Sequence, residues 1–262
     1  MVKRNLEEKF QSERKAAIKK YANLYDWKES SADWLLHASR HKFVYNFDWL
    51  GRPIIQTPVD MVAMQELIWT TRPDLIIETG IAHGGSLILS ASILAMLDMC
   101  EAIDSRETID PLRSRRKVLG IDIDIRAHNR TAIEAHPMAS RIEMIQGSSI
   151  APKVVSEVKK FAEDYDCILV CLDSHHTHDH VLAELEAYAP LISLGSYCVV
   201  FDTIIESLPA DMFPDRPWGP GNNPKTAVLE YLKTHPEFVI DKFIDQKLVI
   251  SLASDGYLKR VK

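Results

Sequence analysis

The residues Asp74-Leu75-Ile76-Ile77-Glu78-Thr79-Gly80-Ile81-Ala82-His83-Gly84-Gly85-Ser86 constrain this chain more than any others. Apolar residues suited to extended backbone end in an acid. A glycine-bearing turn follows, and then the apolar run Leu87 to Leu97. That order predicts a buried strand, a tight loop and the start of a helix. Glycine lets the backbone approach a ligand closely, and a helix N-terminus leaves free N–H groups aimed at it. Glu78 accepts hydrogen bonds only, so the site suits hydroxyls or an ammonium group better than a phosphate.

Similar units recur. Short apolar strands are predicted at 74–78, 117–122, 141–145, 167–173 and 197–202, and a final antiparallel pair at 238–240 and 248–251. Helices are predicted at 57–69, from about 86 to 98, and at 127–136, 152–164, 180–189 and 225–234. The charged stretch 99–116 reads as a surface loop, and the Pro- and Gly-rich stretch 207–224 as a long irregular one. Strands alternating with helices imply a largely parallel α/β sheet covered on both faces. Residues 1–56 read as an N-terminal arm, a charged helix followed by the aromatic cluster Trp27, Trp34, Phe43, Tyr45, Phe47 and Trp49. Residues 57–262 read as the main domain. The arm is expected to cover an edge of that domain rather than to act as a lid, and a homo-oligomer is expected.

A net charge of −6 argues against a nucleic-acid partner held by general electrostatics. Cys100, Cys167, Cys171 and Cys198 have no CxxC spacing and read as reduced thiols of a cytoplasmic protein. The charged first 20 residues do not read as a signal peptide, and no apolar run reaches the length of a membrane span.

Glu78, Asp122, Asp173 and Asp202 all fall at the carboxyl ends of predicted parallel strands, where such sheets bind ligands. They would repel one another unless ligand hydroxyls, a cation or a metal lay between them. The glycine loop lacks the GxGxxG spacing of dinucleotide folds, and an acid there opposes a pyrophosphate. An amino-acid head near Gly80 and a ribose on Asp122 fit, and the ligand with both is S-adenosylmethionine.

The segments Glu78 to Ser86, Gly120 to Arg126, Leu172 to Val181 and Phe201-Asp202-Thr203 resemble the cephalosporin hydroxylase-like family, which takes in rhamnosyl-type sugar O-methyltransferases. The resemblance covers about residues 45–262 and implies a Rossmann-like methyltransferase sheet. It further implies that Glu78, Gly80, Gly84, Ser86, Asp122, Ser148 and Asp173 contact S-adenosylmethionine. Asp173, Asp202 and Thr203 are implied to hold Mg²⁺, with Glu206 or water as substitutes for Thr203. His176, three residues after Asp173, is implied to be the base that takes the acceptor's proton. Relatives tend to have two adjacent acids after strand five, where this chain has Phe201 before Asp202. The expected activity is O-methylation of a sugar or specialised small molecule.

Two other readings stand beside it. His176, His178, Asp179 and His180 resemble the HxHxDH run of zinc hydrolases, one residue short in spacing. Phe201 also leaves room for a catalytically inactive S-adenosylmethionine-binding member. Asn46 and Gln56 are weaker candidates to reach the site from the arm, and Phe213, Arg216 and Trp218 are candidates to wall the acceptor pocket.

Overall fold

The computed structural model describes residues 2–262. Two N-terminal helices, α1 (Val2–Tyr21) and α2 (Tyr25–Arg40), lead into a hairpin of β1 (Phe47–Trp49) and β2 (Arg52–Ile54). Next come α3 (Pro58–Thr71), β3 (Leu75–Thr79), α4 (Gly85–Ser105), β4 (Lys117–Asp122) and α5 (Ala127–Glu134). They are followed by β5 (Ile142–Gln146), α6 (Pro152–Ala162), β6 (Ile168–Leu172), α7 (His178–Tyr188) and β7 (Tyr197–Val200). The chain closes with α8 (Pro224–Tyr231), β8 (Phe238–Ile240), α9 (Lys242–Leu248) and β9 (Tyr257–Arg260).

The main sheet has seven strands in the order β5-β4-β3-β6-β7-β9-β8. The first five are parallel, and β9 pairs antiparallel with both β7 and β8. After β3 the chain builds outward through β4 and β5, then returns to lay β6 on the other side of β3. The order therefore reverses at β3–β6, and ligands of open α/β sheets bind outside the strands' carboxyl ends at such a point.

Successive side chains of a strand face opposite ways. Ile76 on β3 joins one core with Leu87, Ile88 and Leu94 of α4 and Leu67 and Ile68 of α3. Leu75 and Ile77 join the other, with Val158 of α6, Leu185 and Tyr188 of α7 and Val228 of α8. Both faces are covered, which explains why β3 and β6 are apolar runs without alternation. Thr57 caps α3 by accepting from the Asp60 amide, and Pro58 takes the first helical position, as its lack of an N–H allows.

Three expectations are corrected. Residues 248–251 are not a strand: Asp241 caps α9, which runs through Leu248, and Val249 ends it with a positive φ of 64°. The partner of β8 is Tyr257–Arg260 instead. The supposed loop 99–116 begins as helix, because Asp98 and Glu101 on the last turns of α4 pair with Arg116, Arg72 and Arg141. Finally, α4 is 21 residues long and apolar enough, by length and composition, to cross a membrane. Ten of its residues are buried inside the fold, so its apolar content serves the core.

The hairpin packs against the start of α4. Trp49 donates to Ser92 Oγ at 3.0 Å, and Gly85 lies so close to Pro53 that a Cβ there would stand 2.3 Å from the Pro53 carbonyl oxygen. On α1, Ile18 is buried while Leu6 and Phe10 stay exposed, and Arg14 reaches Glu66 at 3.7 Å.

Candidate active site

The glycine loop leaves β3 at the switch point. Gly80 has a φ of +89°, and a Cβ there would lie 2.1 Å from the Asp173 carbonyl oxygen. Only glycine lets this loop press on the end of β6. Ala82 and Gly84 also adopt left-handed φ values, and Gly84 opens α4. The loop is held from three sides. Asp122, at the end of β4, accepts from the Ile81 amide at 2.8 Å, Asn129 donates to the Ala82 carbonyl at 2.8 Å, and Arg52 Nε donates to the His83 carbonyl at 3.1 Å. Arg52 also reaches Asn129 Oδ1 at 3.1 Å, so the arm's hairpin braces the loop.

Glu78 is 3% exposed, and its carboxyl accepts from Ser86 Oγ on the first turn of α4. Burial pushes its pKa up to about 7 against the opposing Ser86 bond. Ser148, after β5, is half-buried with its side chain uncommitted, and its carbonyl accepts from the Ala151 amide at 2.9 Å.

Asp173, His176 and Asp202 converge at the ends of β6 and β7. One ligand atom from each lies within 4.8 Å of the others, and His176 Nε2 stands 3.4 Å from Asp202 Oδ2. His175, His176 and Asp202 have φ values of 50°, 54° and 56°. Left-handed backbone is disfavoured for such side chains, and clusters of it mark functional sites. Burial first, then the charges of Asp202, Glu78 and Glu184, push the Asp173 carboxyl well above the usual carboxylate range. Trp218 stands edge-on to His176 with ring centroids 6.1 Å apart, Phe213 packs on Trp218 at 5.3 Å, and the Arg216 guanidinium lies 5.9 Å from the Trp218 centroid. Glu206 ties this loop down by accepting from the Gly221 amide and from Asn223, the cap of α8.

These facts sort the expected residues. Asp173, His176 and Asp202 meet, but Thr203 does not join them. It is fully buried, and its hydroxyl donates to Ser254 O at 2.6 Å. Phe201 is core, so its position offers no ligand. Glu206 serves the loop. Asn46 bonds the carbonyls of Lys42 and Phe43 within its own turn. Gln56 is buried with Oε1 unpartnered. The histidine run does not form a zinc cluster: His178 meets Thr226 Oγ1 at 2.8 Å, His180 meets Ser149 Oγ at 3.0 Å, and of the run only His176 turns to Asp173 and Asp202. Among the described residues, Asp173, His176 and Asp202 are the one such group. No local pattern marks Arg52 or Asn129, whose partners lie 31 and 47 residues away. The i, i+4 spacing of His180 and Glu184, one helical turn apart, is the local signal for that pair.

The sequence profile of the family described as "Rhamnosyl O-methyltransferase/CmcI" matches residues 41–261. The chain belongs to that family. Curated relatives include the rhamnosyl O-methyltransferase of Mycobacterium leprae (strain TN), 28% identical over 83% of this chain and 85% of the relative. That of Mycobacterium tuberculosis (strain ATCC 25618 / H37Rv) is 29% identical over 84% of this chain and 83% of its own. Among solved structures, CmcI with Mg and SAM aligns with a TM-score of 0.51 at 19% identity, covering 83% of this chain and 78% of that one. An O-methyltransferase from Bacillus cereus in complex with SAH aligns at 0.50 and 14%, covering 89% and 91%. The structural likenesses agree with the seven-stranded methyltransferase sheet. This member of the rhamnosyl O-methyltransferase/CmcI family is an S-adenosylmethionine-dependent O-methyltransferase.

Proposed function

We propose that the enzyme methylates a hydroxyl of a sugar or of a hydroxylated small metabolite, assisted by Mg²⁺. The observation that carries this is the convergence of Asp173, His176 and Asp202 at the switch point, beside the Gly80 loop. The sugar as acceptor is supported by the curated rhamnosyl O-methyltransferases.

The donor supplies an electrophilic methyl group on sulfur, which an acceptor oxygen attacks in line. Gly80 and Gly84 bring the loop backbone close to the donor, and the Ser86 turn opens α4 beneath it. Glu78 takes the donor's ammonium group and Asp122 its ribose hydroxyls; the loop amides use only part of the Asp122 carboxylate. Ser148 faces the adenine.

The donor set fits Mg²⁺, a hard ion that prefers carboxylate oxygens. No hydrogen bond reaches the Asp173 carboxylate among the described residues; burial first, and then the charges of Asp202, Glu78 and Glu184, raise its pKa, and a cation would offset those charges. Asp173 and Asp202 would hold the ion, with acceptor oxygens and water completing its shell. Bound there, Mg²⁺ lowers the pKa of an acceptor hydroxyl. His176 Nε2, 3.4 Å from Asp202 Oδ2, takes the hydroxyl proton. Trp218 and Phe213 give the acceptor an apolar face, and holding it in line contributes much of the rate.

Incubation with S-adenosylmethionine, Mg²⁺ and a panel of deoxyhexosides, nucleotide sugars and catechols tests the assignment. A methyl ether formed in equal amount with S-adenosylhomocysteine is expected. Donor binding with no turnover across the panel overturns it. The exposed Phe10, Tyr25, Trp27 and Trp34 on α1 and α2 support a homo-oligomer, which light scattering of the purified protein checks.

A further inference from the structure

Glu184 lies in the middle of α7 and is fully buried. Its Oε1 accepts from Ser149 Oγ at 2.5 Å and from Ser174 Oγ at 2.6 Å, and His180 Nε2 stands 3.5 Å away. Its Oε2 has no partner. A buried carboxylate is costly, and an apolar side chain would fill this place without that cost. The two serines it joins belong to different parts of the site. Ser149 follows Ser148 on the loop after β5, and Ser174 lies between Asp173 and the two left-handed histidines.

The Asp173 amide donates to the Thr79 carbonyl at 2.9 Å, and beyond it the turn to His176 has few ties. The His176 amide donates to the Ser174 carbonyl at 2.5 Å, His175 meets Thr177 Oγ1 at 2.9 Å, and the His175 ring stacks on His180 at 4.7 Å. The anchor of that stack, His180, is itself bonded to Ser149 and Ser174. Apart from the bond of His175 to Thr177 and the approach of His176 to Asp202 and Trp218, the ties of residues 174–176 run through Ser174 or His180, and both converge on Glu184.

We propose that Glu184 is a positioning residue: through Ser174 and His180 it fixes the turn that presents Asp173 and His176, and through Ser149 it ties that turn to the donor side of the site. It touches neither reactant. Its effect on turnover rests on the methyl-transfer reading given above, whereas its hold on His176 is purely geometric.

The test is a ¹H–¹³C spectrum of the histidine rings at fixed pH, with His176 assigned by loss of its signal in His176→Gln. Glu184→Leu removes the acceptor of both serines and is expected to move the His176 signal more than those of His37 on α2 and His128 on α5. Glu184→Gln keeps an oxygen for the serines and is expected to leave His176 close to its wild-type place. Leu185→Ala, one residue along in the core, is expected to lower the melting temperature and leave His176 still. Should Glu184→Leu fail to fold, Ser174→Ala is expected to give the same displacement. In turnover, Glu184→Leu or Ser174→Ala lowers kcat about 10- to 100-fold with the donor KM little changed. A folded Glu184→Leu or Ser174→Ala whose His176 signal is unmoved, or moved no more than in Leu185→Ala, overturns the proposal. Absence of S-adenosylhomocysteine binding to the wild type by calorimetry counts against the methyl-transfer reading instead, and leaves the His176 result to decide Glu184.

Discussion

His176 Nε2 lies 3.4 Å from Oδ2 of Asp202, although the two residues leave different strands. Each has a left-handed φ, so two disfavoured backbones bring them together. Structure of this kind persists only where surrounding contacts hold it. In the account above the pair moves the acceptor's proton and helps to hold the ion.

Replacing His176 with Gln removes the base but keeps a polar side chain in the turn. A fall in kcat of about 100- to 10,000-fold is expected. Binding of S-adenosylhomocysteine, followed by calorimetry, should be retained. Loss of donor binding with unchanged kcat at saturation would place His176 in the donor site instead.

Asp173→Asn and Asp202→Asn should each weaken Mn²⁺ binding, read by electron paramagnetic resonance. Loss of this electrostatic support should lower kcat about 100- to 1000-fold. Chelation should silence the wild type, and Mg²⁺ should restore it. Full activity after exhaustive chelation contradicts the assignment of the ion.

Glu78 gives a pH dependence of known sign. Its pKa is raised from 4.5 to about 7 by burial, so the folded state holds this proton more tightly than the unfolded state. The stability it contributes is fully present below 4.5 and is lost as the pH rises through about 7. Glu78→Gln should therefore gain stability over the wild type between those limits, reaching about 3 kcal/mol above them. Urea titrations at pH 5 and pH 8 measure it. An equal difference at both pH values contradicts the buried, protonated carboxyl.

Arg52→Ala removes the guanidinium that holds the His83 carbonyl and Asn129. Hydrogen exchange should quicken at residues 81–84. Affinity for S-adenosylhomocysteine should fall about tenfold, since a charged hydrogen bond contributes about 1.5–3 kcal/mol, part of which water recovers here. Unchanged exchange in the loop contradicts a bracing role for the hairpin.

Much of this was legible in the sequence because the parallel strands carry their own signal. Buried on both faces, β3, β4 and β6 are nearly continuous apolar runs, and each has an acid within a residue of its carboxyl end. Asp173, His176 and Asp202 could be picked out because they sit close after such runs. The end of the chain was harder. Two residues of β9 are Lys259 and Arg260, whose polarity hides a strand, while the apolar Leu248-Val249-Ile250 imitates one at the end of a capped helix. The fate of Thr203 was hidden for another reason. Its partner Ser254 is 51 residues away, and no local pattern says which of two neighbouring polar side chains turns inward. Glu184 and Arg52 were missed in the same way, since their roles depend on contacts between distant loops.

The most direct test is a crystal structure with S-adenosylhomocysteine and Mg²⁺. The nucleoside product is expected at the β3–β6 switch point, its ammonium group on Glu78 and its ribose on Asp122. One ion shared by Asp173 and Asp202 is expected as well, with His176 facing the space beyond the sulfur. An ion held elsewhere, or a product seated away from the Gly80 loop, contradicts this placement.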